Sequence, residues 1–550
     1  MERIWLKNYP KGVAHDINTA KYNSVADVFK QACKTHASLI AFTNMGVKLS
    51  YNDLDSRTVE LATFFQKVWG LKKGDAIAIQ MPNLLQYPIV LFGALRAGLV
   101  VVNVNPLYTP REMQFQLKDS GAKGIVILAN FASKLQEVLH ETNIKNVMVT
   151  ELGDSFPPLK RVITNFVVKK IKKMVPHYSL EHSTFLEVPE KIKGLNFDEV
   201  PLSLQDTAFY QYTGGTTGVS KGAILTHENI VANLEQISEV MNPKLRDGHE
   251  VIITALPLYH IFSLTVNCLG LFKRGMTNVL ITNPRDILAL AKEINKSKPT
   301  VLTVVSTLLG ALLENEKFKK MKMPNLKVSV AGGMALKGAV AIKWKEVTGT
   351  SVIEGYGLTE ASPVVAVNPL DGTDKLGTIG LPIPSTEIKI IDEEGKELPV
   401  GEAGELCVKG PQVMKGYLNQ PGETKQVLSS DGWLRTGDMA VMGPDGFLKI
   451  VDRKKDMILV SGFNVYPNEV EEVLMHHPGI AEVAAIGIPD HHSGEVVKIF
   501  VVPRNPSVTK EEIMEYAKKE LTGYKRPKEI EFRKELPKTN VGKILRRALK

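Results

Sequence analysis

The sequence predicts an α/β fold: a large N-terminal domain of two α/β subdomains plus a small β-barrel, and then a small α+β C-terminal domain. Three observations point there. Residues 24–150 alternate helix-like and strand-like runs, the mark of a parallel sheet covered by helices. Residues 376–451 break into short apolar runs divided by Gly and Pro, as a small barrel does. Past Asp452 the pattern changes again, across the charged run Asp452-Arg453-Lys454-Lys455-Asp456. At 550 residues the chain also exceeds the roughly 250–300 residues at which one core stops growing. The expected domains are 1–451 and 453–550, with residue 452 between them.

Taken in order, a helix opens at Tyr51-Asn52-Asp53-Leu54 and runs through Phe65. A strand is expected at 76–79, a helix at 87–97, a strand at 99–104, a helix after Pro110 and a strand at 124–127. Residues 162–175 form a basic amphipathic segment. At 100° per residue, Ile163, Phe166, Val167, Ile171, Met174 and Val175 share one arc, with Lys169, Lys172 and Lys173 opposite and Lys170 near the apolar edge. Such a segment either docks on the protein's own core or lies on an anionic membrane surface. Residues 251–272 carry no Asp, Glu, Lys or Arg, but Pro257, His260 and Asn267 interrupt them. They read as a buried strand, turn and helix, not a membrane span. The segments 300–309 and 328–333 begin a second α/β unit. Gly443-Pro444-Asp445-Gly446 between two strand-like runs signals a hairpin. The C-terminal part reads as helix 469–477, strands 483–487 and 498–502, and helix 510–521.

Lys and Arg (68) outnumber Asp and Glu (59), a net charge of +9 that suits anionic partners without choosing among them. No zinc spacing, RNP-like aromatic motif or long basic arm supports specific nucleic-acid binding. Three widely separated cysteines argue against a disulfide framework and for a reducing compartment. The start, Met1-Glu2-Arg3-Ile4-Trp5-Leu6-Lys7, lacks the apolar core of a signal peptide. A cytoplasmic protein is therefore expected, with the inner face of the cell membrane as the surface for any peripheral attachment.

One stretch carries the strongest chemical signal: Tyr212-Thr213-Gly214-Gly215-Thr216-Thr217-Gly218-Val219-Ser220-Lys221-Gly222. Glycines bring bare N–H groups close to an anion, hydroxyls add donors, and Lys221 adds a full charge. That is the chemistry of a phosphate-holding loop. The Walker A spacing fails, because Ser220 precedes Lys221 and Gly222 follows it. The dinucleotide fingerprint Gly-x-Gly-x-x-Gly fails as well.

Five further stretches follow in order: Leu256-Pro257-Leu258-Tyr259-His260; Glu354-Gly355-Tyr356-Gly357-Leu358-Thr359-Glu360 with Gly332-Gly333 upstream; Thr436-Gly437-Asp438; Asp452 to Asp456 with Ser461-Gly462; and Pro537-Lys538-Thr539-Asn540-Val541-Gly542-Lys543. Together they resemble the adenylate-forming superfamily of acyl-CoA synthetases, luciferases and adenylation domains, most of all its bacterial long-chain fatty acid–CoA ligases. The resemblance covers essentially the whole chain. It implies activation of a long-chain fatty acid by ATP to an acyl-adenylate, then transfer of the acyl group to coenzyme A.

By that resemblance, Thr213, Gly214, Gly215, Thr216, Thr217, Gly218 and Lys221 wrap the β- and γ-phosphates. Gly333, Gly355 and Gly357 admit the flat base, and Tyr356 offers a stacking face. Thr359 bonds an α-phosphate oxygen, and Glu360 is a hard oxygen ligand for Mg²⁺. Asp438 and Arg453 hold the ribose, and His260 sits where the carboxylate and thiol paths meet. Ser461 and Gly462 approach the pantetheine of CoA after the mobile small domain turns about Asp452. Lys543 supplies the cation for the first step. The resemblance leaves open a fatty acyl-AMP ligase or a medium-chain or aryl-CoA ligase. A non-catalytic lipid-binding scaffold and a charge-driven nucleic-acid binder are the readings from other classes, and a homodimer is left open.

Overall fold

The computed structural model describes residues 2–213, 220–539 and 544–549. Two large sheets dominate. One has eight strands in the order Gly416–Tyr417, Gly222–Thr226, Thr207–Tyr212, Val100–Asn103, Ala76–Gln80, Gly124–Leu128, Asn146–Thr150, Ser183–Thr184. Its pairings are parallel from Thr207–Tyr212 outward, as the βαβα alternation requires. The other has nine strands, with a parallel centre through Val352–Gly357, Val328–Ala331, Val301–Val304, Val251–Thr254 and Thr277–Leu280.

The N-terminal strand Ile40–Asn44 does not join the first sheet. It pairs in parallel with Thr277–Leu280 of the second, in the register Phe42 to Asn278. The two α/β units are thus interlocked by the chain, an outcome that the local pattern of residues 24–150 does not specify. Helices Val25–Thr35, Tyr51–Thr63, Gln86–Arg96 and His227–Met241 contribute to the same continuous core. An aromatic knot lies within it. Phe272 stacks on Tyr51 at 4.6 Å and on Phe29 at 5.5 Å, and Phe29 stacks on Phe92 at 4.1 Å. The Tyr51 hydroxyl donates to the Phe272 carbonyl at 2.8 Å. Burying this ring set supplies area-proportional stabilisation plus a geometric preference for stacked rings.

Local chemistry explains the element starts. Pro110 takes the first helical position behind Thr109, whose hydroxyl accepts from the Glu112 N–H while Glu112 accepts from the Thr109 N–H at 2.8 Å. Thr226 and Asn229 form the same reciprocal cap on His227–Met241. The charge-free run divides as expected into the strand Val251–Thr254, a turn, and the wholly buried π-helical stretch Ser263–Leu271. No described helix is long and apolar enough to cross a membrane.

The β-barrel expected over 376–451 takes the form of a four-stranded antiparallel sheet, Glu387–Ile391, Ala403–Lys409, Leu434–Met442 and Leu448–Arg453. The last two strands form the hairpin that Pro444-Asp445-Gly446 signals, pairing Met442 with Leu448. Beyond it, Ile458–Val460, Phe463–Val465, Ile480–Asp490, Gly494–Pro503 and Glu529–Phe532 build a separate sheet with its own core around Val470, Leu474 and Ile513.

The amphipathic segment departs from expectation. Its helix starts earlier, at Pro158, and runs to Phe166 before a π turn over Val167–Ile171. Lys173, at φ 49°, closes it. The apolar arc is not docked on the core: Ile163, Phe166, Ile171 and Met174 are each more than half exposed, and Val162 and Leu159 extend the patch. Only Val175 of that arc packs against a core cluster.

Phe272→Ala should cost about 3–5 kcal/mol, the range for truncating a buried aromatic, and should appear as a lower denaturant midpoint of the far-ultraviolet circular dichroism signal.

Candidate active site

The phosphate-type loop leaves and rejoins the first sheet as a hairpin between Thr207–Tyr212 and Gly222–Thr226. Residues 214–219 lie outside the described residues, so the expected roles of Gly214, Gly215, Thr216, Thr217 and Gly218 rest on sequence. The loop's base is closed. The Thr213 N–H donates to the Lys221 carbonyl at 2.9 Å, and the Ser220 hydroxyl donates to the Thr213 carbonyl.

Lys221 pairs with Glu423 and sits 5.1 Å over the ring of Tyr417. The Tyr417 hydroxyl in turn donates to Glu360 Oε1 at 2.7 Å. Burial and then Glu360 raise the phenol's pKa, so it remains a donor. Tyr417 reaches this place because the short strand Gly416–Tyr417 pairs with Ala223 and Ile224, directly after the loop. Lys221 and Glu360, 139 positions apart in sequence, are thereby joined through one side chain. Glu423 and Tyr417 were not legible in the sequence: neither sits in a motif, and only pairing across some 190 residues brings them in.

Glu360 and Thr359 lie in a single 3₁₀ turn, Thr359–Ala361, following the strand Val352–Gly357. Gly357 is required there. A Cβ at that position would stand 2.1 Å from the Pro363 carbonyl oxygen. Tyr356, on the same strand, donates its hydroxyl to Asp438 Oδ2 at 2.5 Å. Asp438 Oδ1 faces Arg453 Nε at 2.7 Å, and the two residues are direct partners across the hairpin. Three stretches that the sequence set apart therefore meet at one buried carboxylate. Tyr356 serves it as a hydrogen-bond donor, in addition to the ring face expected of it.

Gly333 follows the neighbouring strand Val328–Ala331 with φ +79°. Gly332, beside it, lies against the ring of Phe262, where an added Cβ would come within 3.1 Å. That contact brings the His260 stretch to the same edge. Burial pushes the His260 imidazole down to about 4, and its Nδ1 accepts from the Phe262 N–H at 3.4 Å. His260 is therefore neutral near pH 7 and can accept or donate without adding charge.

Not every expected residue converges. Ser461 and Gly462 occupy the exposed turn between Ile458–Val460 and Phe463–Val465, with Ser461 at φ 50°. In this arrangement they make no described contact with the cleft. Lys543 lies outside the described residues.

The donor set fits a magnesium ion held chiefly by phosphate and water. Glu360 commits Oε1 to Tyr417 and offers its other oxygen, and the described residues contain no cluster of three or more His, Cys, Asp or Glu that could hold a metal alone. When bound there, the ion would neutralise phosphate charge.

Residues 29–418 match the model of the AMP-binding enzyme family, and residues 469–543 match that of the AMP-binding enzyme C-terminal domain. The chain belongs to the AMP-binding enzyme family. It is 52% identical to a long-chain-fatty-acid–CoA ligase of Escherichia coli O6:H1, over 100% of this chain and 98% of that one. It is 38% identical to a long-chain-fatty-acid–CoA ligase of Bacillus subtilis, with the same coverage. Among solved structures it is similar to ATP-bound MatB from Rhodopseudomonas palustris, with a TM-score of 0.82 and 27% identity over 95% of this chain and 98% of that one.

Beside the cleft, the strand Val352–Gly357 carries Glu354, whose Oε2 accepts from the Leu336 N–H at 2.7 Å. Burial pushes this carboxyl up from 4.5 to about 7. It takes up a proton on folding, so the folded state weakens as pH rises from 4.5 towards and through 7. Glu354→Gln should therefore match the wild type near pH 4 and gain on the order of 1–2 kcal/mol at pH 8, read from urea midpoints at the two pH values. A gain of equal size at both would refute a buried, titrating carboxyl.

Proposed function

We propose that this protein is an ATP-dependent long-chain fatty acid–CoA ligase. The carboxylate attacks the α-phosphorus of ATP, giving acyl-adenylate and pyrophosphate. The CoA thiol then attacks the acyl carbonyl, giving acyl-CoA and AMP. The observation that carries the substrate is the 52% identity, along the full chain, to a long-chain-fatty-acid–CoA ligase. The chemistry is supported by two side-chain networks that meet at the end of one strand and the turn after it, Lys221–Tyr417–Glu360 and Tyr356–Asp438–Arg453.

The residues divide the work by charge. Lys221, with Thr213 and the loop at 214–218, clamps the outer phosphates. Releasing Lys221 from Glu423 exchanges one carboxylate for a more highly charged polyphosphate. Thr359 donates to the α-phosphate, and Glu360 holds Mg²⁺. Asp438 and Arg453 take the ribose hydroxyls, while Gly333, Gly355, Tyr356 and Gly357 bound the base. His260 lines the entry to the acyl carbonyl. Lys543 offsets the negative charge that builds at phosphorus. Residues 453–550 act as a mobile domain turning about Asp452, removing Lys543 and bringing Ser461 and Gly462 to the CoA path.

With palmitate, ATP and CoA the purified protein should form palmitoyl-CoA, AMP and pyrophosphate. Lys543→Ala should lower adenylate formation by about 100–1,000-fold, as loss of a preorganised charge does, with ATP binding kept. Pyrophosphate release without thioester would instead mark a fatty acyl-AMP ligase, and unchanged turnover in Lys543→Ala would remove that lysine from the mechanism.

We also propose peripheral attachment to an anionic membrane from the cytoplasmic side, where long acyl chains partition. The support is the uncovered arc Ile163, Phe166, Ile171 and Met174 flanked by Lys169, Lys170, Lys172 and Lys173. Sedimentation with vesicles containing anionic lipid should pull the protein down, and changing those four lysines to Glu should release it. Binding that survives the change would exclude this segment.

A further inference from the structure

Among the described residues, the basic C-terminal end contains a buried cation, Arg546. Arg546 is only 14% exposed. Its Nη2 donates to both oxygens of Glu471, at 2.8 and 2.9 Å, and to Asn468 Oδ1 at 2.6 Å. Its Nη1 faces Asp456 Oδ2 at 3.4 Å and Asp452 Oδ1 at 3.6 Å. Glu471 and Asn468 stand on the helix Pro467–Leu474 of the C-terminal unit. Asp452 belongs to the strand Leu448–Arg453, the last of the antiparallel sheet before that unit.

Asp452 is fully engaged. Oδ2 accepts from the Asn468 N–H at 2.7 Å, and Oδ1 accepts from the Arg453 N–H at 2.7 Å. One buried guanidinium therefore faces three carboxylates, and only Asp452 lies before the boundary between the two parts. A buried cluster of this kind holds while the geometry is kept and is costly to open.

The segment Arg546 belongs to is anchored close by. Ile544 bridges to Lys538, and the Leu545 N–H donates to the Pro537 carbonyl at 2.8 Å. Lys538 and Glu482 are among the charges facing Lys337. Lys337 adjoins Leu336, which donates to Glu354 of the site strand. In the arrangement described, Lys538 and Glu482 of the C-terminal unit thus lie near Lys337, the residue after the Leu336–Glu354 contact.

We propose that Arg546 is a positioning residue for the adenylate-forming half-reaction: by pairing with Asp452 it latches the C-terminal unit in this orientation. The inference rests on the ligase reading above, in which the unit turns about Asp452. Arg546 touches no substrate. It acts through the orientation of the segment in which Lys543 precedes it by three residues.

The test compares two half-reactions in Arg546→Gln, Arg546→Lys and Asp452→Asn. Fatty-acid-dependent ATP–pyrophosphate exchange reads the first, and CoA-dependent consumption of synthetic palmitoyl-adenylate reads the second. In Arg546→Gln, exchange should fall by about 100-fold in kcat, the effect of a small misplacement from afar, while KM for ATP and adenylate consumption change by less than about threefold. Asp452→Asn, which keeps the Arg546–Glu471 pair, should shift the same ratio in the same direction. Arg546→Lys should recover part of the loss. Equal losses in both half-reactions, or no loss in either, would overturn the proposal.

A second readout does not depend on activity. A lysine-specific protease should cut at Lys454 and Lys455 about tenfold faster in Arg546→Gln and Asp452→Asn, as opening of a local unit allows. Equal cutting rates would overturn the latch. A wild type that cuts slowly yet shows no exchange with any fatty acid would defeat the ligase reading and leave the latch standing.

Discussion

The pairing of Asp438 with Arg453 is the interaction on which the site's geometry depends. Asp438 is 4% exposed and faces the guanidinium at 2.7 Å, and backbone pairing across a hairpin holds the two in register. A buried carboxylate without a cation would be protonated or would unfold its surroundings. Here the cation comes from the adjacent strand, so local folding of residues 434–453 brings both charges together at once. The second carboxylate oxygen then takes the Tyr356 hydroxyl, which ties the antiparallel sheet to the strand Val352–Gly357 of the nine-stranded sheet. Arg453 also directly follows Asp452. The residue that completes this pair is therefore next to the point where the C-terminal unit departs.

A second constraint operates on the phosphate side. Lys221, Tyr417 and Glu360 form a short relay in which the aromatic ring spaces a cation from an anion. Direct collapse of Lys221 onto Glu360 would neutralise the two charges that the chemistry needs to keep apart, one for phosphate and one for a metal ion. Glu423 meets the need of Lys221 from the opposite side. Both Tyr417 and Glu423 belong to the segment between the antiparallel sheet's second and third strands, one on the short strand Gly416–Tyr417 and one on the helix Pro421–Val427, so that connection serves the phosphate side although neither residue lies in a recognisable motif.

Much of this was legible in the sequence wherever local chemistry decides. The helix after Pro110 followed from that proline, and the hairpin from Gly443 to Gly446, while the Thr109–Glu112 cap emerged only in the structure. The strands of the parallel sheets followed from runs too apolar to be half-exposed. What was not legible depends on where chain segments are sent. The strand Ile40–Asn44 fits either sheet by composition, and only its pairing with Thr277–Leu280 decides. Tyr417 enters the site by a two-residue strand with no periodicity of its own. Arg546 stands among basic neighbours (Lys543, Arg547, Lys550), and its burial is set by its three acidic partners rather than by those neighbours in sequence.

The segment 158–174 shows the same limit from the other direction. A helical wheel places Ile163 and Phe166 on one face, but it fails past Phe166, where the helix becomes π-helical, and it is silent on what covers that face. In the structure the chain ends the helix at Lys173, turns, and packs Val175 against the core, leaving Leu159, Val162, Ile163 and Phe166 in solvent. Single exposed apolar residues are ordinary on any surface. A contiguous set on one helix face, with four lysines in the following turns, has the mixed apolar and basic character that interaction surfaces use. The fold has therefore kept the amphipathic pattern and declined to bury it, and that choice separates this helix from the capped, core-facing helices around it.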